Sequence, residues 1–275
     1  VKIMNTYNFT NLQLRLISAL LYLPALGLVF GLGGVWFVLA ASFAVYIGTH
    51  ELLTLLKKAG WQPLIPQGAI IAACLIAGLQ FNEIDQLLYW IFAAFILALI
   101  SLLTRQSLIA IGDWSVTSTG ILYVSLPISS LVLMRLEPNG LHWSIFAILT
   151  TFATDTGAYI GGKLVGRHKL IPSVSPNKTW EGAGFGICSA IFCAFALNHF
   201  FNAIPNDLAL SLILGLGIGV LSQAGDLLES TFKRLANVKD SGKIIPGHGG
   251  ILDRLDSLIP IFPFVYLIFI YWPGA

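Results

Sequence analysis

Charge is what this chain has least of. Only 10% of its 275 residues are Asp, Glu, Lys or Arg and 56% are hydrophobic, whereas a soluble domain carries about a quarter charged residues. That scarcity excludes most water-soluble folds. Fifteen Lys and Arg stand against thirteen Asp and Glu, a formal net charge of +2, too sparse and too balanced for a nucleic-acid-binding surface, so no nucleic acid is expected as a partner. Cysteine is scarce as well. Cys74, Cys188 and Cys193 sit in apolar stretches without CxxC or Cys/His spacing, which argues against a disulfide framework or a zinc site. There is no repeat of fixed period, no low-complexity tract and no linker long enough to separate soluble domains, so residues 1–275 read as a single integral membrane domain. No cleavable signal peptide is expected, because the first apolar run leads into further runs without a small-residue cleavage site. The serines lack a His partner and a G-x-S-x-G elbow, which disfavours nucleophilic Ser catalysis.

What the chain does have is apolar runs near the length that crosses a bilayer, about 20 residues for a helix. Nine are expected, at 14–30, 34–56, 66–81, 87–104, 117–134, 142–162, 182–200, 208–232 and 252–272. The fold class is therefore an all-α polytopic membrane protein. With the N-terminus cytoplasmic and the C-terminus extracytoplasmic, fourteen of the fifteen Lys and Arg fall on or near one side, and Arg135 alone falls on the other. Such a bias marks the cytoplasmic face. Trp36, Tyr89, Trp90, Trp143, Tyr271 and Trp272 fall near the expected interfaces, where amphipathic rings belong. Gly215, Gly217 and Gly219 lie mid-span, where small residues favour close helix packing. His50, His142 and His199 are isolated and read as structural or interfacial, and the sequons at Asn8 and Asn177 face the cytoplasm, where no glycosylation is expected.

Ionisable groups inside spans are costly, and each is a functional candidate. Asp155, Asp226 and Glu51 lie five to seven residues before the cytoplasmic ends of their spans, roughly 8–10 Å deep at the helical rise. Asp253 and Asp256 open the ninth span, three residues apart and so on one helix face. Asp226 and Asp253 sit on consecutive antiparallel spans and can face each other beneath the 233–251 loop. Two or three facing carboxylates without thiolates suit a hard, oxygen-preferring cation such as Mg²⁺, which typically takes one or two carboxylates and completes its shell with substrate phosphates. Structural ion pairing is the competing account of the same acids.

The catalytic region is expected at about 150–260, with cytoplasmic loops at 163–181 and 233–251. Gly247, His248, Gly249 and Gly250 would open the ninth helix, where free N–H groups and the helix dipole favour an anion. Ser175, Pro176, Asn177, Lys178 and Thr179 precede Glu181 and the seventh span, and could form another helix N-terminus with Lys178 as a phosphate ligand. Lys233, Arg234, Lys239, Lys243 and Arg254 add positive charge. Their joint placement over buried acids points to a site handling phosphates and a metal.

The stretch Ser230–Asp256, STFKRLANVKDSGKIIPGHGGILDRLD, closely resembles the signature of the phosphatidate cytidylyltransferase (CDP-diacylglycerol synthase) family, and Asp155–Gly182 looks like the region preceding it. The resemblance implies the reaction of CTP with phosphatidate to give CDP-diacylglycerol and diphosphate. It also implies Mg²⁺ dependence and a polytopic membrane enzyme of phospholipid biosynthesis that is often a homodimer among membrane lipids. It puts the metal on Asp226 and Asp253. Asp256, Asp155 and Glu181 are then second-tier acids, outer-shell groups or ligands of a second cation, and Lys178, Lys233, Arg234, Lys239 and Arg254 are phosphate ligands. Asp240 is expected to order the lid loop. A bacterial inner membrane with the active site facing the cytoplasm is the expected location. Two other readings compete: an ion-coupled secondary transporter and a CTP-dependent lipid kinase.

Overall fold

A computed structural model of the chain describes residues 11–81, 95, 96, 99, 109–201, 204, 205, 207–245, 247 and 249–272. The fourth expected span lies outside the described residues apart from Phe95, Ile96 and Leu99, and His248 lies outside them too. The described chain is mostly helical: α1 (Asn11–Leu32), α2 (Gly34–Lys58), α3 (Ile65–Gly78) with a short 3₁₀ turn, α4 (Ile109–Leu136) and α5 (Gly140–Val165). After a small β-ribbon, β1 (Lys169–Ile171) and β2 (Ser175–Thr179), come α6 (Trp180–Phe200), α7 (Leu208–Leu235), α8 (Leu252–Leu255) and α9 (Ile261–Tyr271). Among the described residues, α2, residues 111–136 of α4, α6 and α7 are each long and apolar enough to cross a bilayer, which marks an integral membrane protein. Phe192, Phe195, Leu212 and Leu216 project outward on α6 and α7, as side chains can where the surrounding solvent is hydrocarbon.

The interior is packed tightly by small residues. A Cβ placed on Gly215 of α7 would stand 2.5 Å from the Ile191 Cα of α6, so the mid-span glycines do serve helix packing. Trp143, Phe146 and Phe262 fill the centre and are essentially fully buried. Arg135, the one Arg assigned to the far side, directs Nε and Nη2 to the Phe30 carbonyl at 3.0 and 2.7 Å. It thereby satisfies a helix-end acceptor of α1 that would otherwise lack a partner.

Two expectations are corrected. The ninth span is not one helix over 252–272. It comprises the four-residue α8, a turned segment through Pro260, and α9. Pro260 has no N–H to continue a helical ladder and its ring clashes with the preceding turn. The break packs on α7 at Gly225, where a Cβ would meet the Asp256 carbonyl at 2.3 Å. The second correction concerns the 163–181 segment, which makes the fold other than purely α. Residues 169–179 form an antiparallel ribbon pairing Lys169 with Thr179 and Ile171 with Ser175. Pro172 occupies the second position of the turn, where its fixed φ is favourable, and Val174 N–H closes the turn on the Ile171 carbonyl at 3.2 Å. Ser175 to Thr179 are thus a strand, and α6 begins only at Trp180. Thr179 caps it by accepting from Gly182 N–H at 3.1 Å.

Candidate active site

The last turns of α7 carry Asp226, Glu229, Ser230 and Lys233 at three- and four-residue spacing, which stacks them along one helix face. Ser230 Oγ donates to Asp226 Oδ1 at 3.2 Å. The other Asp226 oxygen meets Lys178 Nζ of β2 at 2.6 Å. One turn further along, Lys233 pairs with the fully buried Glu229 and donates to Asp253 Oδ1 at 2.8 Å. The loop between α7 and α8 is therefore tied to the helix that precedes it.

Asp253 Oδ2 accepts three hydrogen bonds, from Gly250 N–H, Ser241 N–H and Ser241 Oγ, each at 2.9 Å. With Lys233 on Oδ1, both oxygens of this partly buried carboxylate are hydrogen-bonded, as a charge withdrawn from water requires. Asp256 follows α8 in the turned segment, within electrostatic reach of Asp226 and Asp155. Asp155 on α5 in turn feels Asp226 and Lys178. Asp155, Asp226 and Asp256 thus form one electrostatically connected group, with Lys178 on one side and Lys233 with Asp253 on the other.

Alongside this group opens a cavity of about 370 Å³. Its walls are largely apolar, contributed by residues such as Leu26, Phe37, Ile128, Phe152 and Phe262, and Asp155, Asp253, Arg254 and Asp256 supply its charged groups. An apolar chamber with a few convergent charged groups has the character of a binding site. Among the described residues, no three of His, Cys, Asp and Glu close into a metal cage. The donor set nonetheless fits Mg²⁺, which needs one or two carboxylates and fills its remaining positions from water and phosphate.

Several candidates from the sequence have other partners here. Among the described residues, the N–H groups expected to hold an anion at the start of the ninth helix are already taken. Gly250 N–H is bound to Asp253, while Ile251 and Leu252 N–H bind the Glu51 carboxylate at 3.3 and 2.9 Å. Carboxylates from within the protein take the N–H groups that an anion would use, and α8 has too few residues to offer more. Gly249 adopts φ +84° in a turn closed by Ile245 N–H on its carbonyl at 2.9 Å. Arg234 Nε donates to the Val174 carbonyl at 3.1 Å, fastening the ribbon's turn to α7. Glu181, counted among the acids for a metal, accepts from the N–H groups of Arg167 and His168 at 3.0 and 3.2 Å and meets the His168 ring. Thr179 is buried as a helix cap, whereas Asn177, Lys239, Lys243 and Arg254 are exposed and Ser175 is half-buried.

Sequence reasoning passed over Glu229, although an acid four residues before Lys233 is an ion-pair signature in itself. It placed Glu51 at the depth of the other acids without connecting it to the loop. Ser241, buried between Glu51 and Asp253, carried no signal of its own.

A family model described as the cytidylyltransferase family matches residues 13–272. A protein of Staphylococcus saprophyticus named phosphatidate cytidylyltransferase is 36% identical over 261 residues, covering 93% of this chain and 96% of that one. One of the same name from Staphylococcus haemolyticus is 36% identical over 260 residues with the same coverage. Another so named, from Staphylococcus aureus strain COL, reaches 46% identity over 135 residues, 48% of this chain and 50% of its own length. The matched segment runs from α1 through α9 and takes in both the α7 acids and the Asp253 loop, and on that basis the chain belongs to the cytidylyltransferase family.

Proposed function

We propose that this protein is a phosphatidate cytidylyltransferase, forming CDP-diacylglycerol and diphosphate from CTP and phosphatidate. The observation that carries the reading is the junction of two unlike environments. A connected group of carboxylates and lysines borders an apolar cavity within a membrane-embedded helix bundle. A nucleotide and a lipid phosphate have to meet at such a junction, because one substrate is soluble and the other carries its acyl chains in hydrocarbon.

In the proposed reaction a phosphate oxygen of phosphatidate attacks the α-phosphorus of CTP. An O–P bond forms there as the bond to the β-phosphate bridge oxygen breaks, and diphosphate leaves with that electron pair. The nucleophile is already anionic, so no strong general base is required, and catalysis rests on positioning and charge neutralisation. Asp226 and Asp253 would hold Mg²⁺, with Asp256 and Asp155 as outer acids or ligands of a second cation; the ion supplies charge neutralisation on phosphate oxygens when bound. Lys178 and Lys233 are partly buried beside carboxylates, and as compact cations they would bind substrate phosphates. Arg254 and Lys239 add exposed positive charge nearby, and Arg234 acts by fixing the ribbon that carries Lys178. The cavity walls would receive the lipid's acyl chains. The charge bias of the loops supports nine spans with this site facing the cytoplasm, as in a bacterial inner membrane.

The test is purified protein incubated with labelled CTP and phosphatidate, with and without Mg²⁺. Release of diphosphate together with a CDP-lipid, dependent on the ion, is expected. Release of CDP with a phosphorylated lipid would instead identify a lipid kinase. Uptake into vesicles without chemistry would identify a transporter.

A further inference from the structure

The α8 segment is held by a residue far away in sequence. Glu51 lies near the end of α2 and is only 4% exposed. Its Oε2 accepts from Leu252 N–H at 2.9 Å and from Ser241 Oγ at 3.0 Å, and its Oε1 accepts from Ile251 N–H at 3.3 Å. A buried carboxylate is costly unless hydrogen-bonded, and here the donors are Ser241 Oγ and the Ile251 and Leu252 N–H groups, which lead into the α8 turn that carries Asp253. The loop has been shaped around it. A Cβ on Gly242 would stand 2.1 Å from Glu51 Oε1, and one on Gly250 would stand 2.3 Å from Oε2. Both positions therefore require glycine for the backbone to close on the carboxylate.

Ser241 joins this anchor to the candidate active site. Its Oγ is 3.0 Å from Glu51 Oε2 and 2.9 Å from Asp253 Oδ2. A hydroxyl has one proton and donates to one acceptor at a time, so the two carboxylates share a single donor. The peptide N–H of Ser241 binds Asp253 as well, at 2.9 Å. Glu51 thus fixes both sides of Asp253: Ser241 before it, and the Ile251–Leu252 backbone from which it projects.

We infer that Glu51 is a positioning residue that holds Asp253 in its working place by anchoring the 241–252 loop to α2. The inference rests on the assignment of Asp253 to the active site, and it adds a group that itself touches neither substrate nor metal. Partners of this kind typically change activity by roughly 10- to 100-fold when removed.

The experiment compares the full-length protein in detergent with its Glu51→Ala, Glu51→Gln, Ser241→Ala and Asp253→Asn variants. One measurement is the rate of tryptic cleavage after Lys239 and Lys243, both exposed on the loop, relative to cleavage after the exposed Lys57 and Lys58. The other is kcat and KM for CTP. Glu51→Ala should raise loop cleavage about tenfold with no change at Lys57 and Lys58, and lower kcat roughly 10- to 100-fold with little change in KM. Glu51→Gln retains a carbonyl acceptor for Leu252 and Ser241 and should recover most of both. If Glu51→Ala does not fold, Ser241→Ala carries the test, since it removes only the shared hydroxyl and should shift both measurements in the same directions. Wild-type cleavage and wild-type kcat in these variants would overturn the inference, and so would faster cleavage with unchanged kcat. Asp253→Asn separates the two readings. Full turnover in that variant would remove the active-site assignment, whereas loss of turnover beside intact Glu51→Ala and Ser241→Ala would remove the positioning role alone.

Discussion

Lys178 Nζ of the β-ribbon lies 2.6 Å from Asp226 Oδ2 of α7. These two residues are 48 positions apart in sequence, and their pairing brings the two polar segments together at one edge of the bundle. With Lys233 joining Glu229 and Asp253, the acids are interleaved with lysines. An arriving phosphate can recruit those ammonium groups, and Asp226 and Asp253 are the carboxylates that would hold a cation.

Replacing Lys178 with Ala removes a partly buried cation and leaves Asp226 without its charged partner. We expect kcat/KM for CTP to fall roughly 100-fold, with Lys178→Arg intermediate, because the arginine keeps charge but not the compact geometry. Steady-state assays with labelled CTP check this. Unchanged kinetics would take Lys178 out of the site.

Asp226→Asn and Asp253→Asn preserve side-chain size while removing charge. Each should lower turnover by about 1000-fold, equivalent to about 4 kcal/mol of transition-state stabilisation, with membrane expression intact. Near-wild-type turnover of either purified variant would contradict its assignment as a metal ligand.

Ala41 lines the apolar cavity. Enlarging it to Phe places a ring where the lipid's chains are proposed to lie. KM for long-chain phosphatidate should rise roughly tenfold while KM for CTP stays the same. Equal effects on both substrates would argue that the cavity serves another purpose.

Thr179 caps α6 through its hydroxyl. Thr179→Ala should cost about 1 kcal/mol of stability, read as a lowered Tm in detergent, and Thr179→Ser should restore most of it. A Tm unchanged by the alanine variant would show that the cap contributes nothing there.

Much of this site was legible because a membrane makes charge conspicuous. Asp155, Asp226, Asp253 and Asp256 stand out against their apolar surroundings, and span ends fix their depth before any contact is known. What could not be read was pairing across long sequence separations. Nothing near Glu51 announces that its acceptors will be used by Ser241, Ile251 and Leu252, some 190 to 201 residues away. The helix-start N–H groups of Ile251 and Leu252 are a case in point, since the distant Glu51 carboxylate takes groups that local reasoning left free. The ribbon was hidden by its composition, since the Pro and Ser of 172–176 read equally well as loop. The break before α9, by contrast, is signalled by Pro260, which disfavours a continuous 252–272 helix.

Thr179 is both the final residue of β2 and the cap of α6, so no slack residue separates strand from helix. The ribbon cannot slide or pivot without taking α6 along with it. How deeply α6 settles among the lipids therefore sets the height at which the Lys178 ammonium stands, and a thinner or thicker bilayer would act on that lysine mechanically, through the helix that follows it.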